Sequence, residues 1–125
     1  MISNELKEID NDHKRLFLGG FSQGSSLALN IGANLDQKIG GVIMVAGFMS
    51  KFTKIAENQE IPDTLVIHGE KDDKMPWGKA QKLMKTIRNK PNLETVVIED
   101  MGHNMYSDEM KEAMYHFLRK RAPSQ

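Results

Sequence analysis

A serine in a glycine-flanked turn is the feature of this sequence that most directly suggests chemistry. Ser22 lies in the run G-F-S-Q-G at residues 20–24, between a short apolar run and a segment with helical spacing. In a strand–turn–helix context, G-x-S-x-G lifts the serine hydroxyl above a sheet, and its two glycines let the strand and the helix approach closely. We therefore predict that Ser22 is a nucleophile and that the backbone N–H of Gln23 binds the developing oxyanion.

Other hydroxyl groups follow directly on the same segment. Ser25 and Ser26 are rivals to Ser22 by residue type, but they lie past the turn, where they are predicted to be ordinary serines of the first helical turn. The motif is also short, so an ordinary turn without chemistry is an alternative at this point.

An acidic turn follows a later apolar run. Residues 68–76 read H-G-E-K-D-D-K-M-P, and either Asp72 or Asp73 could accept a proton from Nδ1 of a catalytic histidine. The alternative is a charged, solvated turn. His68 ends the apolar run before a glycine and is predicted to be a packed or hydrogen-bonded histidine rather than a catalytic one.

A histidine follows the last apolar run. His103 lies in the run E-D-M-G-H-N-M at residues 99–105, where a loop histidine after a glycine could reach Ser22 and act as general base and then general acid. His13 and His116 are predicted to be surface residues. The chain order Ser…Asp…His, with each residue after a different apolar run, is the order of α/β-hydrolases and predicts a catalytic triad.

The apolar runs and the segments between them predict the elements that must position these residues. Four runs without polar alternation are typical of strands buried on both faces of a parallel sheet, and they cover residues 15–18, 42–46, 64–67 and 95–98. Apolar residues at helical spacing recur at the opening of the chain, between the strands and at its end: Ile2, Leu6 and Ile9; Leu27, Ala28, Ile31 and Leu35; Ala80, Leu83, Met84 and Ile87; and Met110, Ala113, Met114, Phe117 and Leu118. Ser107 or Asp108 is predicted to cap the last helix. This alternation predicts an α/β fold with helices on both faces of the sheet, whose active site lies at the carboxyl ends of the strands.

Composition excludes several classes of function. The 125 residues suit one domain, and a formal net charge of zero argues against a nucleic-acid partner. The absence of cysteine excludes disulfides and thiol catalysis. No segment has the roughly 20 apolar residues of a membrane helix, and no apolar leader is visible, so a cytoplasmic location is expected. The histidines are too scattered for a metal site, and no cofactor is predicted.

Three motifs together resemble the phospholipase/carboxylesterase family, which includes the acyl-protein thioesterases. They are L-G-G-F-S-Q-G at residues 18–24, H-G-x-x-D-x-x-M-P at residues 68–76, and Gly102-His103. The resemblance implies cofactor-independent hydrolysis of carboxylic esters or thioesters, with Ser22 as nucleophile and His103 as base. It also implies that Asp72, rather than Asp73, orients the histidine. Met75 replaces the usual valine, and Ser25 stands where the family usually has a further glycine.

The resemblance covers about the C-terminal half of the family's fold. It therefore implies a single, truncated α/β-hydrolase domain over residues 1–125, with about four parallel strands and without the family's N-terminal strands. The missing part usually supplies a second oxyanion amide and some of the acyl pocket, and losing one such donor costs about 100–1,000-fold in rate. The first strand would also expose an apolar edge, which predicts a homodimer or larger assembly. A non-catalytic binding module and a fragment of a longer enzyme are the alternatives.

Large apolar side chains are expected near the carboxyl ends of the strands. They are Phe48, Met49, Trp77, Met101 and Met105. Because methionine adapts to flexible apolar ligands, these residues are predicted to line an acyl-chain pocket, although capping of the core explains them equally well. The expected substrate is a small ester or thioester, or the acyl group of an acylated protein or lipid.

Overall fold

The computed structural model of the chain describes residues 16–35, 39–46, 55, 59–74, 76–83, 87, 90–103 and 107–121. In chain order these residues form β1 (Phe17–Phe21), α1 (Gln23–Ala33), β2 (Gly41–Val45), β3 (Thr64–Gly69), α2 (Trp77–Leu83), β4 (Leu93–Ile98) and α3 (Asp108–Arg121). Several predicted features lie outside the described residues: the opening helix, His13, Phe48, Met49 and Met105.

Within the described part of the chain, the strands form one parallel sheet in the order β1-β2-β3-β4. β2 and β3 are central and almost wholly buried, whereas β1 and β4 lie at the two edges and have exposed positions. This arrangement confirms the predicted α/β class with four parallel strands.

Helices cover both faces of the sheet. On one face, Met44 and Val66 share an apolar cluster with Leu29 of α1 and Ala80 of α2. On the other face, alternate strand residues, which include Ile67, share a cluster with Phe117 of α3. Because neighbouring residues of a strand point to opposite faces, the uninterrupted apolar runs of β2 and β3 contribute side chains to both clusters.

Both ends of α3 are fixed by side chains. Ser107 is the cap, because its Oγ accepts a hydrogen bond from the Met110 backbone N–H at 3.2 Å. At the other end, Arg121 donates from Nε to Asp63 Oδ2 at 3.0 Å and pairs through Nη2 with Glu94 Oε2 at 3.1 Å. These contacts hold the end of α3 against the amino-terminal ends of β3 and β4. No helix in this part of the chain is both long and apolar enough to cross a membrane.

All four strands differ from their predicted ranges at one or both ends, most clearly β1 and β4. β1 runs through Gly19 and Gly20 to Phe21, because the parallel pairing with β2 continues past the apolar residues. β4 begins at Leu93 rather than at residue 95, since Leu93 pairs with Thr64 of β3. The predicted strands therefore exist, but hydrogen-bond register rather than apolar content sets their ends.

The buried face of α1 also differs from its predicted face. Leu27 is 59% exposed, whereas Ser25 and Ser26 are buried. Leu29 and Gly32 complete the buried side of this helix. An added Cβ on Gly32 would lie 2.8 Å from a methyl group of Val42, so α1 packs closely against β2 and favours small residues on that side.

Gly20 is the glycine that the turn at Ser22 requires. A Cβ built on Gly20 would lie 2.1 Å from the Gly24 carbonyl oxygen and 2.7 Å from the Ser25 nitrogen, and backbone atoms cannot move aside as a side chain can. At Gly24, an added Cβ would meet no atom within 4 Å outside its chain neighbours and its own helix. The expectation that both glycines relieve a steric clash is therefore wrong for Gly24.

Gly20→Ala and Gly24→Ala form a matched pair that tests this difference. Gly20→Ala is expected to lower the free energy of unfolding by about 1–3 kcal/mol, the usual range for overpacking. Gly24→Ala is expected to raise it by about 0.5–1 kcal/mol, because alanine is the better helix former. Urea unfolding followed by circular dichroism measures both values, and equal stability of the two variants would contradict the proposed close approach.

Candidate active site

Ser22 occupies a strained turn between β1 and α1. Its φ of 56° lies in the left-handed region, and its ψ is −118°, a combination that is unusual for a residue other than glycine. Its backbone N–H donates to the Val45 carbonyl at 2.8 Å, so the pairing with β2 extends one residue beyond β1. Within the described part of the chain, the Ser22 hydroxyl makes no capping hydrogen bond to α1.

The turn after β3 directs one of two neighbouring carboxylates into the protein. Asp72 is 3% exposed, whereas Asp73 is exposed. The Lys74 backbone N–H donates to Asp72 Oδ1 at 3.0 Å, and the Asp72 N–H donates to the Gly69 carbonyl at 3.2 Å. The turn therefore buries Asp72 and leaves Asp73 in solvent, and the catalytic role of Asp72 stays a prediction.

His103 meets this carboxylate directly. Its Nδ1 lies 2.7 Å from Asp72 Oδ2, and its side chain is 18% exposed. This distance is typical of a charge-assisted hydrogen bond, and in the tautomer that carries its proton on Nδ1 the imidazole donates to the carboxylate. Nε2 of that tautomer is then the ring nitrogen that can accept a proton.

Main-chain contacts bring the loops of Asp72 and His103 together. Glu70 donates from its N–H to the Ile98 carbonyl at 2.9 Å, and Lys71 donates to the Met101 carbonyl at 2.8 Å. An added Cβ on Gly69 would lie 2.4 Å from the Met101 oxygen, so only glycine permits the two backbones to approach in this way. The loops after β3 and β4 therefore form one connected structure.

Phe21 links the histidine to the turn at Ser22. The ring centroids of Phe21 and His103 are 5.1 Å apart with an interplanar angle of 56°. Phe21 directly precedes Ser22, so the serine turn and the histidine–aspartate pair lie at the same end of the sheet. Sequence reasoning assigned Phe21 no role, although its place beside Ser22 in the G-x-S-x-G run is a signal that it lies at the site.

His68 and Trp77 lie behind Asp72. His68 is fully buried, as expected of a packed histidine, and its Nε2 is 3.7 Å from Asp72 Oδ2. The Trp77 ring lies 5.1 Å from the His68 ring and packs against the apolar cluster that contains α1. Met101 packs against the cluster on the other face. Core packing therefore explains Trp77 and Met101, and their role in an acyl pocket stays a prediction.

Similarity to solved structures supports the same fold. Over 95% of this chain and 56% of the other, the structure matches the crystal structure of esterase PE8 with a TM-score of 0.78 and 24% identity. Over 99% of this chain and 55% of the other, it also matches XC6422 from Xanthomonas campestris, described as an α/β serine hydrolase without a lid, with a TM-score of 0.72 and 20% identity. The chain therefore has an α/β-hydrolase fold, and it covers about 55% of the length of these solved structures.

Curated relatives and a family model identify the family. Acyl-protein thioesterase 1 homolog 1 from Dictyostelium discoideum is 30% identical over an aligned length of 130 residues, and the match covers 98% of this chain and 56% of that protein. Acyl-protein thioesterase 1 from Saccharomyces cerevisiae is 33% identical over an aligned length of 124 residues, and the match covers 91% of this chain and 54% of that protein. The chain therefore spans about half the length of the curated relatives it matches. Because the phospholipase/carboxylesterase model also matches residues 1–122, this chain belongs to the phospholipase/carboxylesterase family.

Proposed function

We propose that the protein is a serine hydrolase that cleaves carboxylic esters or thioesters through Ser22, His103 and Asp72. The observation that supports this most directly is the 2.7 Å contact between His103 Nδ1 and Asp72 Oδ2, beside the strained turn of Ser22. A buried carboxylate that accepts from Nδ1 favours the tautomer whose Nε2 can take a proton.

Acylation begins at the Ser22 hydroxyl. Its Oγ attacks the carbonyl carbon of the substrate while its proton passes to His103 Nε2, and Asp72 stabilises the resulting imidazolium. The backbone N–H of Gln23 donates to the oxyanion of the tetrahedral intermediate. The bond from carbon to the leaving oxygen or sulfur then breaks, and His103 returns the proton to the alcohol or thiol that departs.

Deacylation repeats the sequence with water. His103 takes a proton from the water molecule, whose oxygen attacks the acyl carbon and forms a second tetrahedral intermediate. The bond to Ser22 Oγ breaks, the serine regains its proton from His103, and a carboxylic acid leaves. The cycle needs no cofactor.

The substrate class rests on the relatives. The curated relatives carry the name acyl-protein thioesterase, which supports an acyl ester or thioester as the bond that is cleaved.

The proposed mechanism uses one oxyanion donor, the Gln23 N–H. An oxyanion hole that lacks one of its donors is usually about 100–1,000-fold slower, so turnover with the Gln23 N–H alone would be slow. A single domain and a cytoplasmic location stay predictions from the sequence.

Substitution of the three proposed catalytic side chains tests this function. Wild-type protein is expected to react with a fluorophosphonate probe and to hydrolyse a short-chain p-nitrophenyl ester. Ser22→Ala and His103→Ala are expected to abolish both signals. Asp72→Asn is expected to lower kcat by about 10⁴-fold, because an amide favours the wrong histidine tautomer.

Asp73→Asn is the matched control for the aspartate, since this neighbour is exposed and has the same chemistry. It is expected to keep the wild-type rate. Wild-type protein that neither reacts with the probe nor hydrolyses the ester would overturn the proposed function and favour the alternative, a non-catalytic binding module.

We also propose that two copies of the chain pair through β1. Among the described residues, β1 has a strand neighbour on one side only, and its sequence F-L-G-G-F contains no charge and no proline. Such an edge offers unpaired backbone groups to a second strand. A two-fold symmetric pair would join the two β1 strands in antiparallel orientation.

Gly19→Lys tests this assembly, because a lysine on an edge strand disfavours pairing. Gly19 is exposed, and an added Cβ would meet only the Ile43 carbonyl oxygen, at 3.8 Å. Sedimentation at micromolar concentration is expected to show a dimer for the wild-type protein and a monomer for Gly19→Lys. The control is Gly78→Lys, on an exposed glycine of α2 with no atom within 4 Å of an added Cβ, and it should stay dimeric. A monomeric wild-type protein would contradict this assembly.

A further inference from the structure

The carbonyl group of Ser22 accepts two hydrogen bonds from one residue. The Ser25 backbone N–H donates to this oxygen at 3.0 Å, and the Ser25 hydroxyl donates to the same oxygen. Ser25 is fully buried. Serine hydroxyls in helices often bond to a carbonyl three or four residues earlier, but here that carbonyl belongs to the proposed nucleophile.

The Ser22 carbonyl and the Gln23 N–H belong to one rigid peptide unit. Because this unit is planar and trans, its C=O and N–H bonds point in opposite directions, and whatever holds the oxygen also aims the N–H. Rotation about ψ of Ser22 sets the direction of the whole unit. Ser22 has a φ of 56° and a ψ of −118°, which residues other than glycine rarely adopt. The intrinsic backbone preference of Ser22 therefore does not favour the observed orientation of this peptide unit.

We propose that Ser25 is a positioning residue, whose hydroxyl holds the Ser22–Gln23 peptide so that the Gln23 N–H faces the oxyanion. This inference rests on the proposed hydrolase function. The glycine that the family usually has at this position would keep the N–H bond to Ser22 and lose the hydroxyl bond. In this chain the bond from the Ser25 hydroxyl further restricts the orientation of the Gln23 N–H, which is the one oxyanion donor in the proposed mechanism.

Steady-state kinetics of Ser25→Ala on the p-nitrophenyl ester test the inference. Removing an oxyanion donor costs about 100–1,000-fold in kcat, and a donor that is only poorly aimed is expected to cost about 10-fold. KM should change little, because the oxyanion interaction forms in the transition state and not with bound substrate. Ser25→Thr, which keeps the hydroxyl, is expected to retain most of the wild-type kcat.

A phenylboronic acid gives a second readout, since it forms a tetrahedral adduct with a nucleophilic serine and resembles the intermediate. Its affinity is expected to fall about 10-fold in Ser25→Ala, in parallel with kcat. Ser25→Gly, the residue usual in the family, should show the same loss and serves if the alanine variant does not fold. The matched control is Ser26→Ala, at the neighbouring buried serine, which should keep the wild-type kcat and boronate affinity.

The outcomes separate this inference from the function on which it rests. A Ser25→Ala variant with a lower unfolding temperature but wild-type kcat and boronate affinity would show that Ser25 only stabilises the start of α1, and would overturn the inference alone. Wild-type protein without ester hydrolysis or fluorophosphonate labelling would overturn the proposed function and the inference together.

Discussion

The site depends on hydrogen bonds that continue the sheet one residue beyond the ends of its strands. At three successive strand ends, the first residue after the strand donates its N–H to a backbone carbonyl of the neighbouring strand. These bonds join Ser22 to Val45, Ala46 to Ile67, and Glu70 to Ile98. Because a parallel sheet brings all these ends to one edge, the bonds fix the starts of the loops after β1, β2 and β3 and anchor the last residue of β4, which precedes the loop of His103.

Hydrogen bonds also offset energetic costs at this edge of the sheet. Ser22 and Ala46 both have a positive φ, which costs about 1–3 kcal/mol for a residue in a sparsely populated region. Asp72 is buried, and a buried carboxylate is tolerated only with hydrogen-bonding partners, which His103 and the Lys74 N–H supply. The central strands β2 and β3, buried on both faces, provide the stability that such a site requires.

The sequence predicted the class of fold because the apolar runs of β2 and β3 are continuous and the helices between strands have clear spacing. It misjudged β1 because Gly19 and Gly20 look like turn residues, whereas pairing with β2 keeps them in a strand. It also read α1 by hydrophobicity, which favours Leu27 over Ser25 as a buried residue. Ser25 can be buried because its hydroxyl donates a hydrogen bond to the Ser22 carbonyl, and a hydropathy scale takes no account of such bonds.

The candidate site was more predictable than the boundaries of the elements around it. Ser22 and His103 stand out by motif and by their place after a strand, and the family resemblance favoured Asp72 over Asp73. Composition alone could not separate the two aspartates, because only the turn bond from the Lys74 N–H and the contact with His103 distinguish them. Likewise, the motif places Phe21 next to Ser22, but the contact of its ring with His103 arises only from the fold.

The joined loops after β3 and β4 bear on how this protein can change during evolution. One inserted residue between Ile98 and His103 would shift the histidine by up to about 3.8 Å, far more than a hydrogen bond tolerates. Lineages that keep the histidine–aspartate contact should therefore conserve the lengths of both loops. Lys71 is exposed and its ion pair with Asp100 contributes little to stability, so its identity is free to drift. Asp100 is more restricted, because its φ of 60° favours glycine, asparagine or aspartate.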